Sequence, residues 1–349
     1  MRYALFAGWL AAFVLGCSGS PAATAPAPPT APARASDSAA PLPEKITVSY
    51  STLSGSQVAV YLAAEQGLFA KYGLTAEVMY IASGTTALQS LLAGDVQFST
   101  GAGYEPAAAY VAGAPVRILL GLINTFPNLF LVDPEITAPE QLRGKPIGVS
   151  RLGGQPHVAA RLALRHWGLD PDTDVQYLQL GGVPEILAGM QSGAVVGGVF
   201  TPPTNLRAQQ AGYRVLADLG QLGIPYQSTV IVGLQPYVET HPEVTRRFLQ
   251  AILEGIKLYL TDDAAARAAL AKYTRTDDPA LLDETIAYYR RIVERRPYPT
   301  LAGLQTVLDE VASHDPRARA VRPEDLVNTE PLAELERSGF LAALYGEAR

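Results

Sequence analysis

Two stretches of this chain, about a hundred residues apart, follow the same plan, and that repetition limits the fold more than any other feature. Ile46–Tyr50 (ITVSY) alternates apolar and polar side chains as a strand does. A Ser/Gly loop, the amphipathic run Val58–Gln66 and Gly67-Leu68 follow it. Pro146–Ser150 (PIGVS) leads in the same way through Arg151–Pro156 into Val158–Trp167 and Gly168-Leu169. Ser49 to Gly67 and Ser150 to Gly168 span equal distances, and each glycine stands where a helix ends in the left-handed conformation. Both copies continue with a strand (Ala76–Ile81; Val175–Leu180) and a loop (Ser83–Thr86; Gly181–Pro184). A helix closed by Gly94 or Gly193 and a short strand (Val96–Ser99; Val195–Phe200) complete each copy. Strands alternating with crossover helices build parallel sheets, so the repetition predicts two similar α/β lobes.

Past the second copy the pattern changes. Thr229–Leu234 is one more strand, and helices then dominate. One opens at His241-Pro242-Glu243 and carries Val244, Phe248, Ile252, Leu253, Ile256 and Leu260 on one face. Others are predicted near 263–273, 279–294, 300–313 and 330–344. The chain is expected to leave lobe one near Val132, build lobe two over 133–228, and return near Thr229. Lobe one then comprises 44–132 plus 229–349, with the C-terminal helices packed on it, and two crossings make a hinge beside a cleft.

Composition removes several functions. The 27 Lys+Arg against 33 Asp+Glu leave a net charge of −6 with no basic block, a poor match to nucleic acid. One cysteine and four scattered histidines (157, 166, 241 and 314) supply no disulfide framework and no metal-ligand spacing, so neither metal nor other cofactor is expected. The cysteine has a different use. Arg2 and the uncharged run Ala4–Leu15, roughly 18 Å long as a helix, are too short for a membrane span and read as a signal peptide. The run ends in Val14-Leu15-Gly16-Cys17, which resembles a bacterial lipobox with Cys17 as the acylated residue. Residues 18–43, rich in Pro, Ala, Ser and Thr, cannot bury enough surface to order themselves and are predicted to be a tether. A lipid anchor, a tether and a globular body describe an exported protein that works as a monomer beside the membrane.

In parallel α/β sheets ligands bind outside the carboxyl ends of strands, at helix starts. Here those loops offer Ser51, Ser54 and Ser56, then Ser83, Gly84, Thr85 and Thr86, then Thr100 and Tyr104, with Asn124 and Phe126 after the strand 116–123. Lobe two contributes Arg151, Gly154, Gln155, Thr201 and Pro202, and Tyr226 lies near the return crossing. Hydroxyls, glycines and helix N-termini favour anions, and Arg151 suits a carboxylate, sulfonate or phosphate as a bidentate clamp. Glu105 is the one acid in the lobe-one loops and has no evident partner. The expected ligand is a small anionic or zwitterionic organic solute.

Ala63–Leu74 (AAEQGLFAKYGL), Ser83–Thr86 (SGTT), Leu92–Phe98 (LAGDVQF), Leu142–Val149 (LRGKPIGV) and His241-Pro242-Glu243 together resemble one family. It comprises the extracytoplasmic solute-binding proteins of ABC importers, in the nitrate/sulfonate/taurine and thiamine-pyrimidine-precursor-like branch. The resemblance covers roughly residues 45 to 320. It implies a two-lobed, type II periplasmic-binding-protein-like fold that delivers solute to an ABC permease, without catalysis. A receptor presenting ligand to a membrane sensor is the alternative role. The related eukaryotic thiamine-pyrimidine synthases share the fold but use a Cys-rich segment and a ligating His, for which this chain has no counterpart.

Overall fold

The computed structural model describes residues 44–347. The signal-peptide run, Cys17 and the tether 18–43 lie outside the described residues. Among the described residues, ten strands form two five-stranded sheets, one per lobe. The first holds β1 (Glu44–Tyr50), β2 (Leu74–Tyr80), β3 (Phe98–Ala102), β4 (Val116–Ile123) and the late strand β10 (Thr229–Leu234), in the order β2-β1-β3-β10-β4. The second holds β5 (Leu129–Val132), β6 (Pro146–Val149), β7 (Gln176–Gln179), β8 (Gly197–Phe200) and β9 (Arg214–Asp218), in the order β7-β6-β8-β5-β9.

The two orders are the same under the repeat: β1, β2 and β3 correspond to β6, β7 and β8, paired in parallel. In each lobe the fourth position is taken by the strand that has just crossed from the other lobe, and it runs antiparallel to both neighbours. This corrects one boundary. Leu129–Val132 belongs to lobe two, where it pairs with β8 and β9, so the first crossing is 124–128 and not the stretch after Val132. The short apolar run reads on from β4 in sequence; only the pairing reveals that it has changed sheet. The return crossing is 219–228.

Helices in chain order are α1 (Val58–Glu65), α2 (Leu68–Lys71), α3 (Gly84–Ala93), α4 (Tyr104–Val111), α5 (Gln155–His166), α6 (Val183–Gln191) and α7 (Thr204–Gln210). The C-terminal region adds α8 (Gln235–Thr240), α9 (Pro242–Thr261), α10 (Asp263–Thr274), α11 (Pro279–Arg290), α12 (Leu301–Ala312), α13 (Glu330–Arg337) and α14 (Phe340–Tyr345). Gly67 and Gly168 both adopt the left-handed conformation expected of them, at φ 64° and 74°. The helix predicted over 330–344 breaks at Gly339, whose φ of 79° ends α13 and starts α14. On α9 the predicted face is buried at Val244, Phe248, Ile252, Leu253 and Ile256, while Leu260 is only partly covered and Tyr259 is buried. This face packs against α1 and β1 to form the lobe-one core. The approach is close at Gly255, where any Cβ would strike the carbonyl oxygen of Ala59.

A second apolar cluster runs through the hinge. Phe126 and Tyr226, one on each crossing, stack with centroids 3.9 Å apart, and Phe130, Ala159 and Leu304 continue the cluster into both lobes. Polar contacts bridge the lobes as well. Ser54 Oγ and the Gly55 N–H donate to Pro202 O, each at 3.3 Å, and Arg161 Nε on α5 donates to Glu310 Oε1 on α12 at 2.6 Å, while Gln155 Nε2 ties α5 to the return crossing at Ser228 Oγ, 2.8 Å away. The lobes are therefore closed on one another.

Candidate functional site

Between the closed lobes lies a small cavity of about 30 Å³. Lobe one contributes Ser51, Thr52, Gln57, Ser83, Gly84, Gly101, Ala102 and Glu105. Asn128 stands at the first crossing. Lobe two contributes Ser150, Gln155, Pro156, Gly182, Val183, Val199 and Thr201. Each group sits at the carboxyl end of a strand or the first turn of a helix, because both halves of the repeat turn that edge of their sheet toward the cleft.

Three helices of at least nine residues, α3, α5 and α6, begin at this cavity, and in none does a side chain cap the start. Their N-terminal residues are Ser83, Gly154 and Gly182. Pro156 and Pro184 occupy second positions, which removes one donor each, while the N–H groups of Gln155 and Val183 find no partner among the described residues. Uncapped helix starts are a standing anion site; each contributes about 0.3–1 kcal/mol, more where partly buried. Ser83 adds backbone strain, with φ 76° in a region that costs a non-glycine residue on the order of 1–3 kcal/mol. Its buried Oγ has no hydrogen-bond partner, nor has Gln57 Oε1. Strain and unsatisfied polar atoms gathered on one wall are the mark of a binding surface.

Glu105 is the unusual member. It occupies the first turn of α4, is buried, and rests against Gly84 so closely that a Cβ on Gly84 would overlap its carboxyl. Its Oε2 has no partner, and no cation pairs with it among the described residues. Burial without a counter-charge pushes its pKa up to about 8. The starts of α3 and α4 favour the ionised form, but by less than the burial disfavours it. A buried carboxyl poised near neutrality, facing α5 and α6 across a small cavity, can accept a proton donor or a cation from a solute.

The structure brings Ser51, Ser83, Gly84, Gln155 and Thr201 to the cavity. It places the other predicted residues nearby in different roles. Ser54 bonds Tyr289 Oη at 2.8 Å, Ser56 accepts from Gln57 Nε2, and Pro202 is the acceptor for Ser54. Gly154 caps α5; Thr85, Thr86 and Thr100 lie on α3 and β3 outside the lining. Asn124 donates to Tyr298 O at 3.2 Å, and Phe126 and Tyr226 are hinge core. Tyr104 faces the lobe seam. Arg151 is exposed and off the lining, so the expected guanidinium clamp does not reach the cavity. Sequence reasoning missed Gln57, Asn128, Ser150, Val183 and Val199. It noted Glu105 without giving it a role; an acid with no partner in an Ala-rich first turn was the available signal.

Two α/β lobes with matching sheets, two crossings and a cavity of helix starts define a periplasmic-binding-protein fold. Residues 56–266 match the NMT1/THI5-like family, and the chain belongs to it. It is 30% identical over 225 residues to the taurine-binding periplasmic protein of Escherichia coli K12, covering 62% of this chain and 67% of that one. To the riboflavin-binding protein RibY of Chloroflexus aurantiacus it is 27% identical over 254 residues, 70% of either chain. The crystal structure of the periplasmic aliphatic sulphonate binding protein SsuA from Escherichia coli superposes with a TM-score of 0.62 at 21% identity, covering 83% of this chain and 91% of that one. These relatives are binding proteins with different ligands, so the ligand here must be read from the cavity.

Proposed function

We propose that this protein is the extracytoplasmic solute-binding component of an ABC-type importer, anchored through acylated Cys17, and that its solute is a small zwitterion carrying an amine and an acid group. The observation that carries the ligand class is Glu105, buried and unpartnered on lobe one, opposite the free helix starts of α5 and α6 on lobe two. An ammonium group on Glu105 and an acid group on the Gln155 and Val183 N–H groups would satisfy both lobes at once. Such a solute makes its full set of contacts only when the lobes are shut, which couples binding to closure. The taurine-binding relative supports the reading, since taurine is an amino-sulfonate. The lipobox-like run and the tether-like composition of 18–43 support a position beside a permease.

The test is a thermal-shift panel followed by calorimetry, using taurine and β-alanine, their amine-free counterparts ethanesulfonate and propionate, and ethylamine. The zwitterions should bind, adding about 2.7 kcal/mol of stability at 100 times their dissociation constant. A best ligand without an amine would refute the zwitterion reading and leave the family assignment untouched.

A further inference from the structure

A second concavity, of about 400 Å³, opens where the lobes meet on the far side of the cavity wall. Lobe one supplies Tyr104 and, from the end of the C-terminal helix α12, His314; lobe two supplies Leu152, His157, Tyr177 and the Pro171-Asp172 turn. It stands back to back with the solute cavity. Tyr104 faces the concavity while its neighbour Glu105 faces the cavity, and Gly153 and Gln155 divide in the same way.

Its chemistry differs from that of the cavity. The His157 and Tyr177 rings meet edge to face at 4.6 Å, and Leu152, half exposed, offers an apolar wall. His157 Nδ1 accepts the Gly153 N–H at 3.0 Å, so the neutral ring carries its proton on Nε2. Burial beside Arg161 keeps it neutral, with a pKa lowered to about 4. The Tyr177 hydroxyl is buried and unpartnered. The floor is fixed, because Arg161 is held by both carboxyl oxygens of Asp172 and by Glu310. Arg165 pairs with Glu310 as well, so two guanidinium groups offset the two carboxylates, leaving aromatic edges and the His157 Nε2 proton as the free donor. A volume near 400 Å³ lies within the usual range for small-molecule sites.

We infer that this seam is an effector site for a single-ring aromatic compound bearing an oxygen acceptor, and that its occupant favours the closed form. The ring lies against His157, Tyr177 and Leu152, and the oxygen accepts from His157 Nε2. The site is assembled from both lobes and is complete only when they are closed, so its occupant stabilises closure whatever the solute in the cleft.

The test uses the full mature chain with benzamide and benzoate as probes and cyclohexanecarboxamide as the non-aromatic control. Ligand-observed NMR should show an aromatic probe binding in roughly the millimolar range typical of so small a molecule, and the control not binding. His157→Phe, which keeps a ring and removes the donor, should weaken it about five- to tenfold, and Leu152→Arg, which fills the mouth from an exposed position, should abolish it. Saturating probe should reduce the scattering radius of the wild type and leave that of Leu152→Arg unchanged. Failure of both aromatic probes to bind, or binding insensitive to both substitutions, overturns the site. Binding with an unchanged radius overturns the coupling to closure.

Discussion

If Glu105 receives the amine of a zwitterion, binding must be linked to its ionisation. The unliganded carboxyl titrates at about 8, so at pH 7 only about one molecule in eleven has it charged. A ligand ammonium selects that charged form and expels the proton from the rest. Observed affinity should then rise about fiftyfold between pH 6 and pH 8, with about 0.9 proton released per ligand at pH 7. Calorimetry in two buffers of different ionisation enthalpy measures that release directly. Glu105→Gln should bind about 10- to 150-fold more weakly than the fully ionised wild type and should show a flat pH profile. The unliganded protein should behave in the opposite sense. Glu105 keeps its proton when folded and loses it near pH 4.5 when unfolded, so stability should fall as pH rises from about 4.5 through 8. Gln at that position should remove the slope. An affinity that falls as pH rises through 8 would refute the amine reading, because it would mean that a neutral Glu105 donates its proton to an anion. No proton release at pH 7 would refute it equally.

Three further outcomes follow from the same geometry. Arg161 and Glu310 are 2% and 0% exposed and join α5 to α12, and Arg165 also pairs with Glu310, so Arg161→Met together with Arg165→Met, which strands Glu310, should cost about 3–5 kcal/mol in denaturant melts. Adding Glu310→Leu should recover most of the loss; a triple variant as unstable as the double one would deny that the stranded charge is the cause. Tyr226→Phe deletes a buried hydroxyl that has no partner while keeping the ring on Phe126, so its melting temperature should stay level or rise; a fall of several degrees would reveal an unseen bond. Cys17→Ala should leave an unprocessed precursor that takes up no labelled palmitate, and identical processing of variant and wild type would remove the anchor.

The duplicated strand–helix plan, its glycine stops and the apolar face of α9 were legible in the chain because they are local. Strand alternation, helix periodicity and left-handed glycines depend on neighbours a few residues away. The same logic named Ser51, Ser83, Gly84, Gln155 and Thr201, which line the cavity, since strand ends and helix starts converge wherever parallel sheets form. Tertiary structure decided what local pattern cannot encode. Leu129–Val132 crosses to the second sheet because the open positions beside β8 and β9 lie there. Arg151 and Glu105 exchange their expected importance for a related reason. One turn of loop leaves the guanidinium in solvent, while the packing of α4 on α3 seals the carboxyl away from water and from any cation. Charge and composition are properties of the chain, but desolvation belongs to a place in the fold, and here it is desolvation that lifts Glu105 out of the ordinary carboxylate range.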